Sequence, residues 1–262
     1  MVDLVDLSGY IEEGQPGVGS ETVLFTTLTH AERGTQVKRE LEDRGLDGET
    51  EYVQRHLKAQ RQGDDEQHPM TRTMIVSEHG PTHVDSIDHL DPTSELSIDN
   101  MPMEWFYGDA ICLDLSDIEY PDHITSDRIQ KELDRTGLEI PDGGTVLLDT
   151  GHYEENYSAS DLEKKHIYEN EWVGLTERAG EFLVNQNARA IGIDAISVDN
   201  LENIEPDYKF PVHALAAREQ IVIYENLANL SAVAGEKFTF VGMPLKIRDG
   251  TGSPVRPFAI LK

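Results

Sequence analysis

The chain has 262 residues, enough for one large domain or two small ones around a substantial core. Its 50 acidic residues face 22 basic ones, a formal net charge of −28, which disfavours nucleic acid and anionic membranes as partners. A single cysteine, Cys112, excludes an intrachain disulfide, and no apolar run approaches the roughly 18–20 residues of a membrane span.

The first strand is expected at residues 2–7 (VDLVDL) and a second at 22–28 (TVLFTTL). The opening MVDLVDLSGY lacks the basic and apolar regions of a signal peptide, so an intracellular, cytoplasmic location is expected. Residues 30–62 are charged and free of proline, and read as two short helices broken near Gly45 and Gly48; His30, His56 and His68, within 30–70, read as solvated. From residue 72 strands dominate: RTMIVS, AICLDLS (110–116), TVLLDT (145–150), RAIGIDA (189–195), QIVIYE (220–225), FTFVGMPLKI (238–247) and VRPFAIL (255–261). Cys112 lies in one of these runs and reads as core. Helices are expected at 126–137, with Ser126 as N-cap and Gly137 as stop, and at 175–187, with Thr176 as N-cap. The later strands are continuously apolar, as strands covered on both faces are, so the pattern predicts an α/β fold with a mixed sheet core and flanking helices.

Residues 77–90, SEHGPTHVDSIDHL, concentrate three histidines and two aspartates. The four-residue spacing of His79 and His83 does not belong to a helix, because Pro81 inside one would cost about 3 kcal/mol. The Gly-Pro pair signals a turn, and THVDSIDH after it reads as extended. Alternation then points His83 and Asp85 to one face and Val84 to the core, with His89 on the same parity, and Asp88 and Pro92 signal a bend nearby. Imidazole and carboxylate ligands of this kind suit zinc, manganese or iron, and a polar solvated loop is the alternative reading. Downstream, His213 stands just before a short helical turn, and Glu225 ends the apolar strand QIVIYE. A carboxylate there calls for either a hydrogen-bond donor or a metal.

The run from His79 to His89, H-G-P-T-H-V-D-S-I-D-H, resembles the H-x-G-T-H-x-D-x-P-x-H motif of the metal-dependent cyclase-like hydrolases, which include bacterial kynurenine formamidase and isatin hydrolase. Pro81 and Ile87 replace the family's Gly and Pro, changes of loop shape and not of ligands. VDLSGYIEEGQP, LLDTGHYEENY, AIGIDAISVDN, ENLANL and GSPVRPFAIL extend the likeness over nearly the whole chain apart from about residues 30–70. The resemblance implies a single domain over 1–262 with the family's swivelling β/β/α fold and a helical insertion at about 30–70. It implies metal ligands at His79, His83, Asp85, His213 and Glu225, one or two divalent ions (Zn2+ or Mn2+), and proton transfer by His89. It also implies a homodimer or homotetramer.

A bound divalent ion lowers the pKa of its water from 15.7 to about 7. Hydrolysis of a linear or cyclic amide C–N bond in a small molecule is therefore expected. A lactone or dienelactone hydrolase or a cyclase would use the same parts, and a metal-containing ligand-binding protein is the alternative outside enzymes. The tryptophan that follows the D-L-S stretch in kynurenine formamidases is absent from GQPGVGS (14–20). Trp172, His152 and Tyr153 are the candidate substrate contacts, and Trp105 reads as core or pocket wall. The acidic excess is spread along the chain, and its self-repulsion is worst where screening is weak, so a high-salt cytoplasm is expected.

Overall fold

The computed structural model describes residues 2–17, 23–29, 70–89, 91–204 and 209–261, together with the isolated helical positions Glu32, Gln36 and Arg39. The strands, in chain order, are β1 (Asp3–Asp6), β2 (Leu24–Leu28), β3 (Thr71–Ile75), β4 (His83–Asp85), β5 (Tyr107–Asp114), β6 (Thr145–Asp149), β7 (Ala190–Ile193), β8 (Val222–Glu225), β9 (Lys237–Val241), β10 (Gly252–Pro254) and β11 (Phe258–Leu261). The helices are α1 (Ser126–Thr136), α2 (His152–Asn156), α3 (Leu162–Asn170), α4 (Glu177–Asn185), α5 (Leu201–Ile204) and α6 (Pro211–Glu219).

The chain divides into two compact units, one formed by Met1–Val23 with Val76–Lys262 and the other by Leu24–Ile75. In the smaller unit β2 pairs antiparallel with β3, Leu24 opposite Ile75. Of the two helices expected at 30–62, Glu32, Gln36 and Arg39 are described and helical; the rest of that stretch, and His30, His56 and His68, lie outside the described residues.

The larger unit is built on one nine-stranded sheet in the order β1-β11-β9-β5-β6-β7-β8-β4-β10. β5 to β8 run parallel, and the strands beyond them on both sides pair antiparallel, so the sheet is mixed. Alternation along the parallel strands divides the core in two. Ile111, Leu113, Val146, Leu148, Ile191 and Ile193 share one cluster with residues of α1, α4 and α6. Ala110, Cys112, Leu147, Ala190, Val222 and Tyr224 form the other with Phe238 and Phe240. Both faces are covered, which is why these strands read as unbroken apolar runs.

Several boundaries differ from expectation. Thr125, and not Ser126, caps α1: its hydroxyl accepts from the Arg128 N–H at 3.3 Å, while Gly137 ends the helix at φ 71° as expected. Thr176 caps α4 as expected. The run 238–247 is strand only to Val241, and VRPFAIL contributes only its last four residues to β11, because Pro257 has no N–H for a ladder. The preceding Gly252–Pro254 forms β10, a strand that the sequence pattern does not announce.

Candidate metal centre and active site

Five parts of the chain converge around β4. The turn around a cis Gly80–Pro81 peptide presents His79. β4 carries His83 and Asp85, and Val84 between them is fully buried in the core. β4 lies antiparallel to β8 with His83 directly opposite Glu225, so the register alone brings those two together. His213 comes from inside the first turns of α6, not from before it, because Pro211 starts the helix at a position where a missing N–H costs nothing. His89 does not continue an extended strand: it ends a short 3-10 turn, Ile87–His89, and its ring centroid lies 4.1 Å from that of His79 and 6.4 Å from that of His213.

Within this group, His79, His83 and Asp85 each offer one donor atom within 4.8 Å of the other two, as do Asp85, His213 and Glu225. Asp85 belongs to both sets. His83 Nδ1 donates to the Pro81 carbonyl at 2.8 Å, which leaves Nε2 facing Asp85 Oδ1 at 3.4 Å and Glu225 Oε2 at 3.5 Å. His213 repeats the pattern. Its Nδ1 bonds Asp199 Oδ2 at 2.7 Å, and its Nε2 faces Glu225 Oε1 at 3.3 Å and Asp85 Oδ2 at 3.5 Å. His79 Nδ1 meets Asp85 Oδ1 at 2.8 Å and Nε2 meets the Thr251 hydroxyl at 2.9 Å.

These residues fit a divalent cation. A neutral imidazole whose Nδ1 carries the proton presents a lone pair at Nε2. Two such lone pairs face carboxylate oxygens here, an arrangement that repels unless positive charge lies between them. Asp85 Oδ2 is buried and has no hydrogen-bond partner, a costly state for a carboxylate oxygen that no donor satisfies. Electrostatics report the same demand. Burial opposes the charged form of His83 and His213, yet the surrounding carboxylates outweigh it and raise both pKa values well above the ordinary imidazole value. Burial would raise Asp85, but His213, His79 and His83 hold it well below the usual carboxylate range. Nitrogen and oxygen donors in this mixture suit zinc or manganese.

His89 is placed differently. It is half-buried, and among the described residues neither of its ring nitrogens has a hydrogen-bond partner. Burial lowers its pKa below the ordinary imidazole value; Asp85 works against that, and His79 and His213 add to it. Beside it lies a cavity of about 10 Å3, large enough for about one water molecule and lined by Asp85, His89, His213, Ile87, Ala216 and Ile223.

A family model described as "Putative cyclase" matches residues 5–200. The chain belongs to the cyclase family. Among curated relatives, kynurenine formamidase of Bacillus thuringiensis (strain Al Hakam) is 28% identical over 183 residues, 70% of this chain and 76% of that protein. Isatin hydrolase of Roseibium aggregatum is 26% identical over 198 residues, 72% and 73% of the two chains. Among solved structures, an isatin hydrolase bound to the product analogue thioisatinate superposes with a TM-score of 0.78 at 21% identity, covering 99% of this chain and 92% of that one. At that identity the likeness speaks for the fold.

The three candidate substrate contacts are engaged by the protein's own groups in this cyclase-family chain. Trp172 is 4% exposed in the core, and its indole N–H donates to the Asp199 carbonyl at 2.8 Å. His152 is buried, with Nε2 3.1 Å from the Tyr168 carbonyl. Tyr153 stacks on Tyr157 with centroids 4.3 Å apart. Trp105, expected as core or pocket wall, is half-buried beneath the Arg189 guanidinium, 4.7 Å from its ring centroid. Sequence reasoning missed Asp199, which is fully buried and holds His213 by both its ring and its backbone N–H. One aspartate among 50 acidic residues carries no local signal of that role. It also missed Thr251 and Glu78: the Glu78 carboxylate accepts from the Thr251 N–H at 2.9 Å and lies 3.1 Å from its hydroxyl, which in turn meets His79.

Proposed function

We propose that the chain is a metal-dependent hydrolase of a small-molecule amide C–N bond, linear or cyclic, with His79, His83, Asp85, His213 and Glu225 as ligands of one or two Zn2+ or Mn2+ ions. The observation that carries this reading is the sharing of Asp85 between two sets of donors whose atoms lie within 4.8 Å of one another. The names of the relatives, kynurenine formamidase and isatin hydrolase, supply the bond type.

When bound, the ion would polarise a carbonyl oxygen and acidify water. The chain's own residues do the rest. The Pro81 carbonyl and Asp199 set the tautomers of His83 and His213 and aim Nε2 of each inward. Asp85 and Glu225 supply the negative charge that holds a cation in a buried place. His89, kept neutral by its depressed pKa, takes a proton from water at a ring nitrogen and returns it to the leaving nitrogen.

The acidic composition supports a small-molecule substrate with no nucleic-acid or membrane partner, and work in a salt-rich cytoplasm. Among the described residues no helix is long and apolar enough to cross a membrane. Homodimers or homotetramers are proposed from the family resemblance. The deciding experiment is metal analysis of protein purified in high salt, joined to turnover of N-formylkynurenine, isatin and simple lactones before and after chelation. Amide hydrolysis lost on chelation and restored by Zn2+ or Mn2+ is expected. Metal-loaded protein that turns over none of them would overturn the hydrolase reading.

A further inference from the structure

A second group of carboxylates, unused by the site above, gathers where two parallel strands end. Asp149 closes β6, Asp194 directly follows β7, and Glu154 rises from α2; each offers an oxygen within 4.8 Å of the other two. Asp194 is 0% exposed and Asp149 2% exposed. Backbone and hydroxyl donors account for one oxygen of each. The Thr150 N–H and hydroxyl donate to Asp194 Oδ1 at 3.0 and 2.6 Å, the Gly151 N–H donates to Asp149 Oδ1 at 3.2 Å, and the Asn229 N–H donates to Glu154 Oε1. That leaves Asp194 Oδ2, which is buried with no hydrogen-bond partner, as the free oxygen of its group. None of the ion pairs among the described residues includes any of the three.

Two buried carboxylates and a third beside them need either protons or a cation. Burial, with repulsion from Glu154 and Asp114, raises Asp149 to about 6; burial, with repulsion from Asp149 and Glu154, raises Asp194 to about 7, so at neutral pH the buried pair is not held protonated throughout. A donor set of oxygens alone, without imidazole or thiolate, selects hard ions over the transition metals suited to the first site. Calcium binds oxygen at about 2.3–2.6 Å and so spans oxygens up to about 5 Å apart, whereas magnesium at about 2.1 Å needs them drawn to about 4 Å.

We propose that Asp149, Glu154 and Asp194 form a calcium site that ties α2 to the ends of β6 and β7. The bound ion neutralises the buried acids and supplies the free oxygen of Asp194 with a partner.

The test is equilibrium dialysis of the full, metal-loaded chain against calcium in molar KCl, which suppresses loose binding to the acidic surface, compared with Glu154→Gln and Asp194→Asn. About one calcium per wild-type chain is expected. Each variant should lose it while its transition-metal content stays the same. Calcium should also raise the wild-type melting temperature and leave that of Glu154→Gln unmoved. Equal calcium uptake by wild type and Glu154→Gln would overturn the proposal. So would no uptake at millimolar calcium, the outcome expected if Asp149 and Asp194 share a proton instead. Tighter binding of magnesium than calcium would overturn the choice of ion. Glu154 is exposed, so its variant reports even if Asp194→Asn does not fold.

Discussion

His83 and His213 each give one ring nitrogen to a protein acceptor, the Pro81 carbonyl and the Asp199 carboxylate, and so present the other to Asp85 and Glu225. His89 gives neither nitrogen to the described residues, although it sits within a ring's width of His79. That difference separates residues built to hold from one left free to exchange a proton. Replacing His89 by Ala is therefore expected to leave metal content unchanged and lower kcat by roughly 10²–10⁴-fold, the usual contribution of a positioned acid–base group. Steady-state kinetics with metal analysis of the same sample checks it. A near-normal kcat would remove His89 from the mechanism, and lost metal would make it a ligand.

The ladder around β4 does the positioning. β8 on one side sets Glu225 opposite His83, and β10 on the other sets Gly252 opposite Asp85. A Cβ added at Gly252 would lie 2.7 Å from Cε1 of His79, inside any real contact distance. Gly252 therefore leaves the room that the His79 imidazole occupies, and Thr251 beside it bonds the far nitrogen of that ring. Gly252→Ala is expected to keep the fold, to push His79 off its position and to weaken metal binding about 10-fold or more, the range seen when the support of a ligand is disturbed. Competition with a chromogenic chelator measures this, and an unchanged affinity would show that His79 is free to move or does not bind metal.

Across the whole molecule the excess of 50 acidic over 22 basic residues sets a self-repulsion that falls with screening, whose length shrinks from about 10 Å at 0.1 M salt to about 3 Å at 1 M. Among the described residues, the ion pairs that offset it are mostly at the surface, where solvent and salt leave each with little net effect. The melting temperature is expected to rise from low to molar KCl by roughly 5 °C or more, since about 1 kcal/mol moves the midpoint about 2–4 °C in a chain of this size. A thermal melt series in KCl tests this, and stability that is flat or falls with salt would sever the link between the acidic surface and a high-salt setting.

Strand runs, the breaker at Pro81, the capping of α4 and the cluster from His79 to His89 were all legible along the chain, because each depends on neighbours a few residues apart. The two-sided core was legible too, as unbroken apolar strands. What no local pattern carries is which distant groups meet. Asp199 under His213, Thr251 and Gly252 against His79, and Asp149 beside Asp194 are each brought together by the tertiary fold, through contacts between residues 14 to more than 170 positions apart. Asp88 and Pro92 signalled a bend near His89, and tertiary contact fixes where it falls: Ser86 binds the Thr251 carbonyl from both its N–H and its hydroxyl, just before the 3-10 turn that carries His89. Residue chemistry was thus set by the sequence itself, and the distances that turn it into a site were set by the sheet.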